Sequence, residues 1–148
     1  FMFPDGMVSD TLEEKFAESA DGSFGQNPSA AGEGPDNYKK MGEEAGFEPT
    51  NAFSPESYDA AALMLLAMQA AGSNDPAAYK EKVMEVANAP GEKILPGELG
   101  KALQIIKDGG DVDYVGASAV ELIGPGESAG SYREIEMKDG KMVTIGYR

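Results

Sequence analysis

The sequence predicts a mixed α/β protein. Three observations lead there: several segments carry helix caps and apolar stripes, short β-type runs lie between them, and the chain closes on a hairpin built around Asp139-Gly140. The 148 residues are enough for one ordinary domain, and the 41% apolar content suits a globular protein.

Taken in order, the opening stretch FMFPDG reads as the end of a strand that delivers Asp5 to a turn. Asp10 is expected to cap a helix over 11–19, with Glu13 completing a capping box and Leu12 and Phe16 on one face. The glycine- and serine-rich stretch DGSFGQNPSAAGEGPDN holds one strand-like piece around Phe24. Asp36 then opens a helix that runs to about Ala45 and stops at Gly46. In NAFSPESYDAAALMLLAMQAAGS, Ser54 is the expected N-cap, Pro55 the first helical residue and Gly72 the end. Its body is apolar on nearly every side, which predicts a buried helix with Tyr58 in the core. NDPAAYKEKVMEVANA repeats that grammar with Asp75 and Pro76, burying Tyr79, Val83, Val86 and Ala87. A further helix over 98–107 places Leu99, Leu103 and Ile106 on one stripe. The last element, SYREIEMKDGKMVTIGY, is a hairpin whose Asp-Gly turn tolerates two positive φ angles.

Composition excludes several function classes. Twelve basic against 26 acidic residues leave a net charge of −14, which repels a phosphate backbone and argues against nucleic acid as a partner. Without cysteine there is no disulfide, thiolate catalysis or Cys-type zinc site. The longest apolar run, 60–71, is interrupted by Gln69 and is too short to cross a bilayer. Leu, Ile, Val and Phe make up only 27 of the 148 residues, about 18%, a low share for so charged a chain. Together with the abrupt apolar start, this predicts that part of the core lies on further chain, and that the piece alone is marginal or associates with another copy.

Three stretches invite a chemical reading. GESAG, residues 126–130, matches the G-x-S-x-G pattern around Ser128, but the chain has no histidine to act as base, and the flanks give a loop entering a strand. No catalytic residue is predicted there. DGGDVD, residues 108–113, clusters carboxylates without the calcium-loop spacing and reads as a helix cap followed by a strand, so neither a metal site nor a cofactor is predicted. Asp5 on its own reads as a turn residue.

Four stretches, in this order, carry a resemblance: FMFPDGMVSDTL, NAFSPESYDAAALMLLAMQAAGS, PGEKILPGELGKALQIIKDGGDVDYVGAS and AGSYREIEMKDGKMV. Together they resemble the C-terminal part of the leucine/isoleucine/valine-binding type of periplasmic solute-binding protein, which serves ABC transporters. The resemblance implies a type I Venus-flytrap fold of two α/β lobes with its N-terminal part lying outside this sequence. Residues 1–28 would belong to the second lobe, 29–130 to the first, and 131–148 to a hairpin that returns to the second. The implied work is to bind a branched-chain or related amino acid between the lobes and deliver it to a permease in the periplasm, with a signal peptide upstream. The rival reading is an amino-acid-sensing receptor module of the same fold. Asp5 falls where the family holds the ligand's α-ammonium, a group that must be paired to offset its desolvation. Phe53 falls where the family places an aromatic wall, although a Phe before a helix cap also serves as a hydrophobic staple. The lobe that supplies carboxylate-binding groups is not in this sequence, IGPGESAG replaces the Asp/Gly-rich turn of the family, and Asp5 is shorter than the Glu of some relatives.

Overall fold

The computed structural model describes Phe1–Arg148. In chain order the elements of the first half are β1 (Met2–Phe3), α1 (Thr11–Phe16), β2 (Phe24–Pro28), α2 (Glu33–Ala45) and α3 (Ser54–Ala71). There follow α4 (Pro76–Tyr79), α5 (Val83–Ala87), β3 (Glu92–Ile94), α6 (Leu99–Lys107) and β4 (Val112–Tyr114). The chain ends with β5 (Leu122–Ile123), β6 (Glu127–Ser128), β7 (Tyr132–Lys138) and β8 (Lys141–Tyr147). It divides into two compact units: Phe1–Ala30 with Asn51–Phe53 and Gly130–Arg148, and Ala31–Thr50 with Ser54–Ala129. No helix is long and apolar enough to cross a membrane.

The first unit is a four-stranded sheet of order β1-β2-β7-β8, parallel between β1 and β2 and antiparallel elsewhere. Strand alternation sends Ile135 and Met137 to one face, where Met137 packs with Leu12 and Ala20. The other face carries Met2, Phe24 and Val143, aligned by the strand register and all well exposed. Asp139 (φ 53°) and Gly140 (φ 73°) make the turn that the sequence predicts. Asp21 holds it, accepting from the amides of Asp139 at 3.1 Å and Gly140 at 2.9 Å.

Two expectations for α1 fail. Asp10 is already helical, at φ −55° and ψ −24°, so its side chain makes no cap, and Glu13 is engaged elsewhere: it accepts from Lys141 Nζ and from the Met142 amide, each at 2.8 Å. A charge-assisted pair plus a strand-edge donor outweighs a local capping contact. The helix also stops at Phe16, since Ala17 turns to φ 43°, so Leu12 is buried while Phe16 is half exposed.

The second unit wraps helices around two short sheets, β3-β4 parallel and β5-β6 antiparallel. Its core joins Leu63, Leu66 and Ala67 of α3 to Val86, Ile94, Val112 and Tyr114. α2 starts at Glu33, one turn before the expected Asp36: Gly32 supplies the cap at φ 130°, and Pro35 is tolerated in a first turn. It ends at Gly46 in the left-handed region, as expected. The predicted single helix after Asp75 is broken by a 3₁₀ turn at Lys80–Lys82. Val86 and Ala87 are buried, whereas Tyr79 and Val83 are only half-buried. Asp75 does cap it, accepting from the Ala77 amide at 2.9 Å. α3 departs most: it buries one side only, leaving Met64 and Leu65 exposed opposite Leu63 and Leu66.

Candidate functional site

In the first unit, strand β1 ends at Phe3, and Pro4 turns the chain into a single 3₁₀ turn, Asp5–Met7. Pro4 fixes φ at −67° and accepts from the Met7 amide at 2.9 Å, while the Val8 amide reaches Asp5 O at 3.1 Å. Val8 is buried and anchors the turn from below. Asp5 is thereby carried out of the sheet with its side chain exposed, and its Oδ1 accepts from the neighbouring Gly6 amide at 2.6 Å. That bond orients the carboxylate and leaves Oδ2 for another donor.

Asp5 lines a cavity of about 680 Å³. Its floor is the sheet, and Met2, Phe24, Tyr132 and Ile145 give it apolar walls. Glu134 and Arg148 also line it and pair at 2.6 Å. A carboxylate at the edge of an apolar concavity suits an ammonium attached to an apolar body. Gly25, in the same lining, has no room for a side chain: a Cβ there would stand 2.9 Å from Phe3 O and 3.1 Å from Val8, so no larger residue fits without moving β1.

Phe53 is not part of the lining of that cavity. It directly precedes α3, is 44% exposed, and sits at φ 63°. A bulky side chain in the left-handed region is a genuine outlier, the kind of local strain that clusters at functional positions. Because α3 begins at Ser54, Phe53 occupies the cap position itself. Tyr58 is half-buried instead of core: its hydroxyl accepts from the Gly97 amide at 3.0 Å and its ring lies 5.1 Å from that of Tyr38.

The two rejected motifs are built as loops and caps. Ser128 lies exposed on β6, within a small antiparallel pair. Asp108 caps α6, Gly109 takes φ 83°, and β4 begins at Val112.

Sequence reasoning passed over the acids of α3. Asp59 is 2% exposed and surrounded by donors from 114–118. One turn earlier, Glu56 keeps one buried oxygen without a hydrogen-bond partner; burial pushes its carboxyl above the usual range, and the Asp59 charge adds to this. Asp59 stands in plain sight in YDAA, but its partners lie more than fifty residues on, so no local pattern marks it.

No protein-family profile matches the chain. Over 97 residues, 65% of its length, it is 31% identical to the chemotactic signal transduction system substrate-binding protein BasB of Halobacterium salinarum, of which the match covers 24%. Its fold superposes on the crystal structure of the leucine-binding protein LivK of Thermotoga maritima with a TM-score of 0.66 and 19% identity, over 99% of this chain and 36% of that one. The chain thus spans about a quarter of the one protein and little more than a third of the other. Both are named as binding proteins, and neither as an enzyme. The chain has the fold of the matching third of LivK, a type I periplasmic binding fold.

Proposed function

We propose that this chain is part of a solute-binding protein, and that Asp5 is the group that pairs with the α-ammonium of a branched-chain or related amino acid. The observation that carries the reading is the placement of Asp5: an exposed carboxylate, held by its own turn, beside an apolar concavity of about 680 Å³. An apolar side chain gains by leaving water while the ammonium keeps a charged partner, a combination that selects neutral, aliphatic amino acids. In this reading residues 1–28 and 131–148 are part of the second lobe of the whole protein and residues 29–130 part of the first. Phe53, outside the lining of that cavity, is proposed as an aromatic wall against the ligand side chain in the whole protein, with its backbone at φ 63° the local cost of presenting it. Binding and delivery to an ABC permease in the periplasm is the leading role. The name of the Halobacterium relative favours a second one, in which the loaded protein reports to a chemotaxis receptor.

The test uses the full-length protein that carries this chain. Asp5→Asn keeps the shape and removes the charge, and if the bound ligand and the closed site bury the exposed Asp5 carboxylate, loss of one partner of that charge pair costs on the order of 2–5 kcal/mol. Calorimetric titration with neutral amino acids should therefore show affinity falling by roughly 30-fold or more in Asp5→Asn. Equal affinities, or tight binding only of ligands that lack an amino group, would overturn the assignment. Pull-down of the loaded protein with permease or with receptor separates the two roles.

A further inference from the structure

α3 poses a recognition problem that apolar packing does not solve. Over 60–71 it carries no charge and, apart from Gln69, is apolar all round. Ala62, Leu63, Leu66 and Ala67 face inward, while Ala60, Ala61, Met64 and Leu65 face water. Successive residues are about 100° apart on a helix, so the two sets lie on opposite sides, and a half-turn about the helix axis would exchange Leu63 and Leu66 for Met64 and Leu65, side chains of similar size that substitute for one another at little cost. Transfer free energy hardly distinguishes the two seatings.

Asp59 does. It is 2% exposed, and its carboxylate is met on both oxygens. Oδ1 accepts from Tyr114 OH at 2.8 Å and from the Ala117 amide at 2.6 Å; Oδ2 accepts from the Ser118 amide at 2.7 Å and from Ser118 Oγ at 2.6 Å. All four are neutral donors, so the anion is held by a concave set of N–H and O–H groups. The loop is shaped for it. Gly116 takes φ 73°, and a Cβ there would stand 2.6 Å from Oδ2, so only glycine lets the backbone close on the carboxylate. In the opposite seating of α3 the charge would turn away from these donors and leave them buried and unpaired, a larger cost than any difference in apolar fit.

We propose that loop 114–118 is a carboxylate-binding site, that Asp59 is its tethered ligand, and that this contact sets the rotational register of α3. The inference is independent of the amino-acid-binding role. A single buried polar contact fixing helix register is a well-attested use of such groups.

The experiment is chemical rescue with formate. Asp59→Ala leaves the donors facing a space the size of that ion. The variant, wild type and Leu66→Ala are each refolded in sodium formate and in sodium chloride of equal ionic strength, then followed by melting and by ¹H–¹⁵N spectra. Asp59→Ala in chloride should melt roughly 5–10 °C below wild type and lose the wild-type positions of the Ala117, Ser118 and α3 amides. Formate should restore both saturably, and should leave wild type and Leu66→Ala unmoved. The proposal is overturned if formate acts equally on all three proteins, or if the α3 amides of Asp59→Ala in chloride already match wild type. Should Asp59→Ala fail to fold in either salt, Ser118→Ala decides: it removes one donor and should melt lower with a displaced Ala117 amide. Wild-type melting with an unmoved Ala117 amide would sink the idea.

Discussion

Each of the two units is stabilised internally in its own way. The second has a continuous apolar core in which Leu66, Ile94, Ala102 and Tyr114 are completely enclosed. The first has one small cluster under its sheet, around Leu12, Ala20 and Met137, and leaves the opposite sheet face open. It is stitched instead by acids that reach across the chain: Asp21 to the hairpin turn 118 and 119 residues on, and Glu13 to Lys141 and Met142. A core of enclosed side chains responds to lost volume, whereas a unit fastened by carboxylates responds to protons and salt.

The largest expected effect is therefore a truncation in the second unit. Leu66→Ala should cost about 2–5 kcal/mol, read by denaturant unfolding followed through α3 amides. A loss near that size in the first unit alone would reverse the comparison.

A smaller effect tests the stitching. The hydrogen bond from Lys141, and then that from the Met142 amide, hold the Glu13 carboxyl below the ordinary glutamate range. A lowered folded value means that the contribution is complete above the unfolded pKa of about 4.3 and is lost as the pH falls through the folded one. On acidification the Ile135 amide should lose exchange protection before that of Leu66, and Glu13→Gln should abolish the pH dependence of that loss while lowering protection at pH 7. Simultaneous loss in both units would show that the tether is idle.

The smallest effect has the opposite sign. Glu56 is raised, chiefly by burial, so its charged form is penalised in the fold above the folded pKa and the penalty disappears as acid protonates it. Glu56→Gln should raise the stability of the second unit slightly at neutral pH and leave it unchanged in acid. A destabilised variant at pH 7 would mean that the carboxylate has a partner in solution.

What the sequence disclosed follows the range of the interactions. The Asp139-Gly140 turn, the Gly46 stop and the Asp75 cap were legible because each is decided within a few residues. Glu13 was misread because the pattern of a capping box is local, while the competing Lys141 lies 128 residues away. Asp59 was missed for the same reason. The one-sided burial of α3 was hidden because Met64 and Leu65 look like core in any window. Of the two candidate site residues, Asp5 appeared in the sequence as a turn, and its apolar surroundings came from strands paired far along the chain; the strain at Phe53 is a backbone angle that no composition reveals.

The position of Glu13 has one more consequence. β8 is the last strand of its sheet and has no neighbour on its outer side. Such an edge offers unpaired amides to any extended chain, the usual opening for aggregation. Glu13 already occupies the Met142 amide, with the Lys141 ammonium beside it. An incoming strand would have to expel a carboxylate from a charged pair before it could zip along the edge from that end, which leaves only the run from Val143 to the C-terminus for a stray partner to grip.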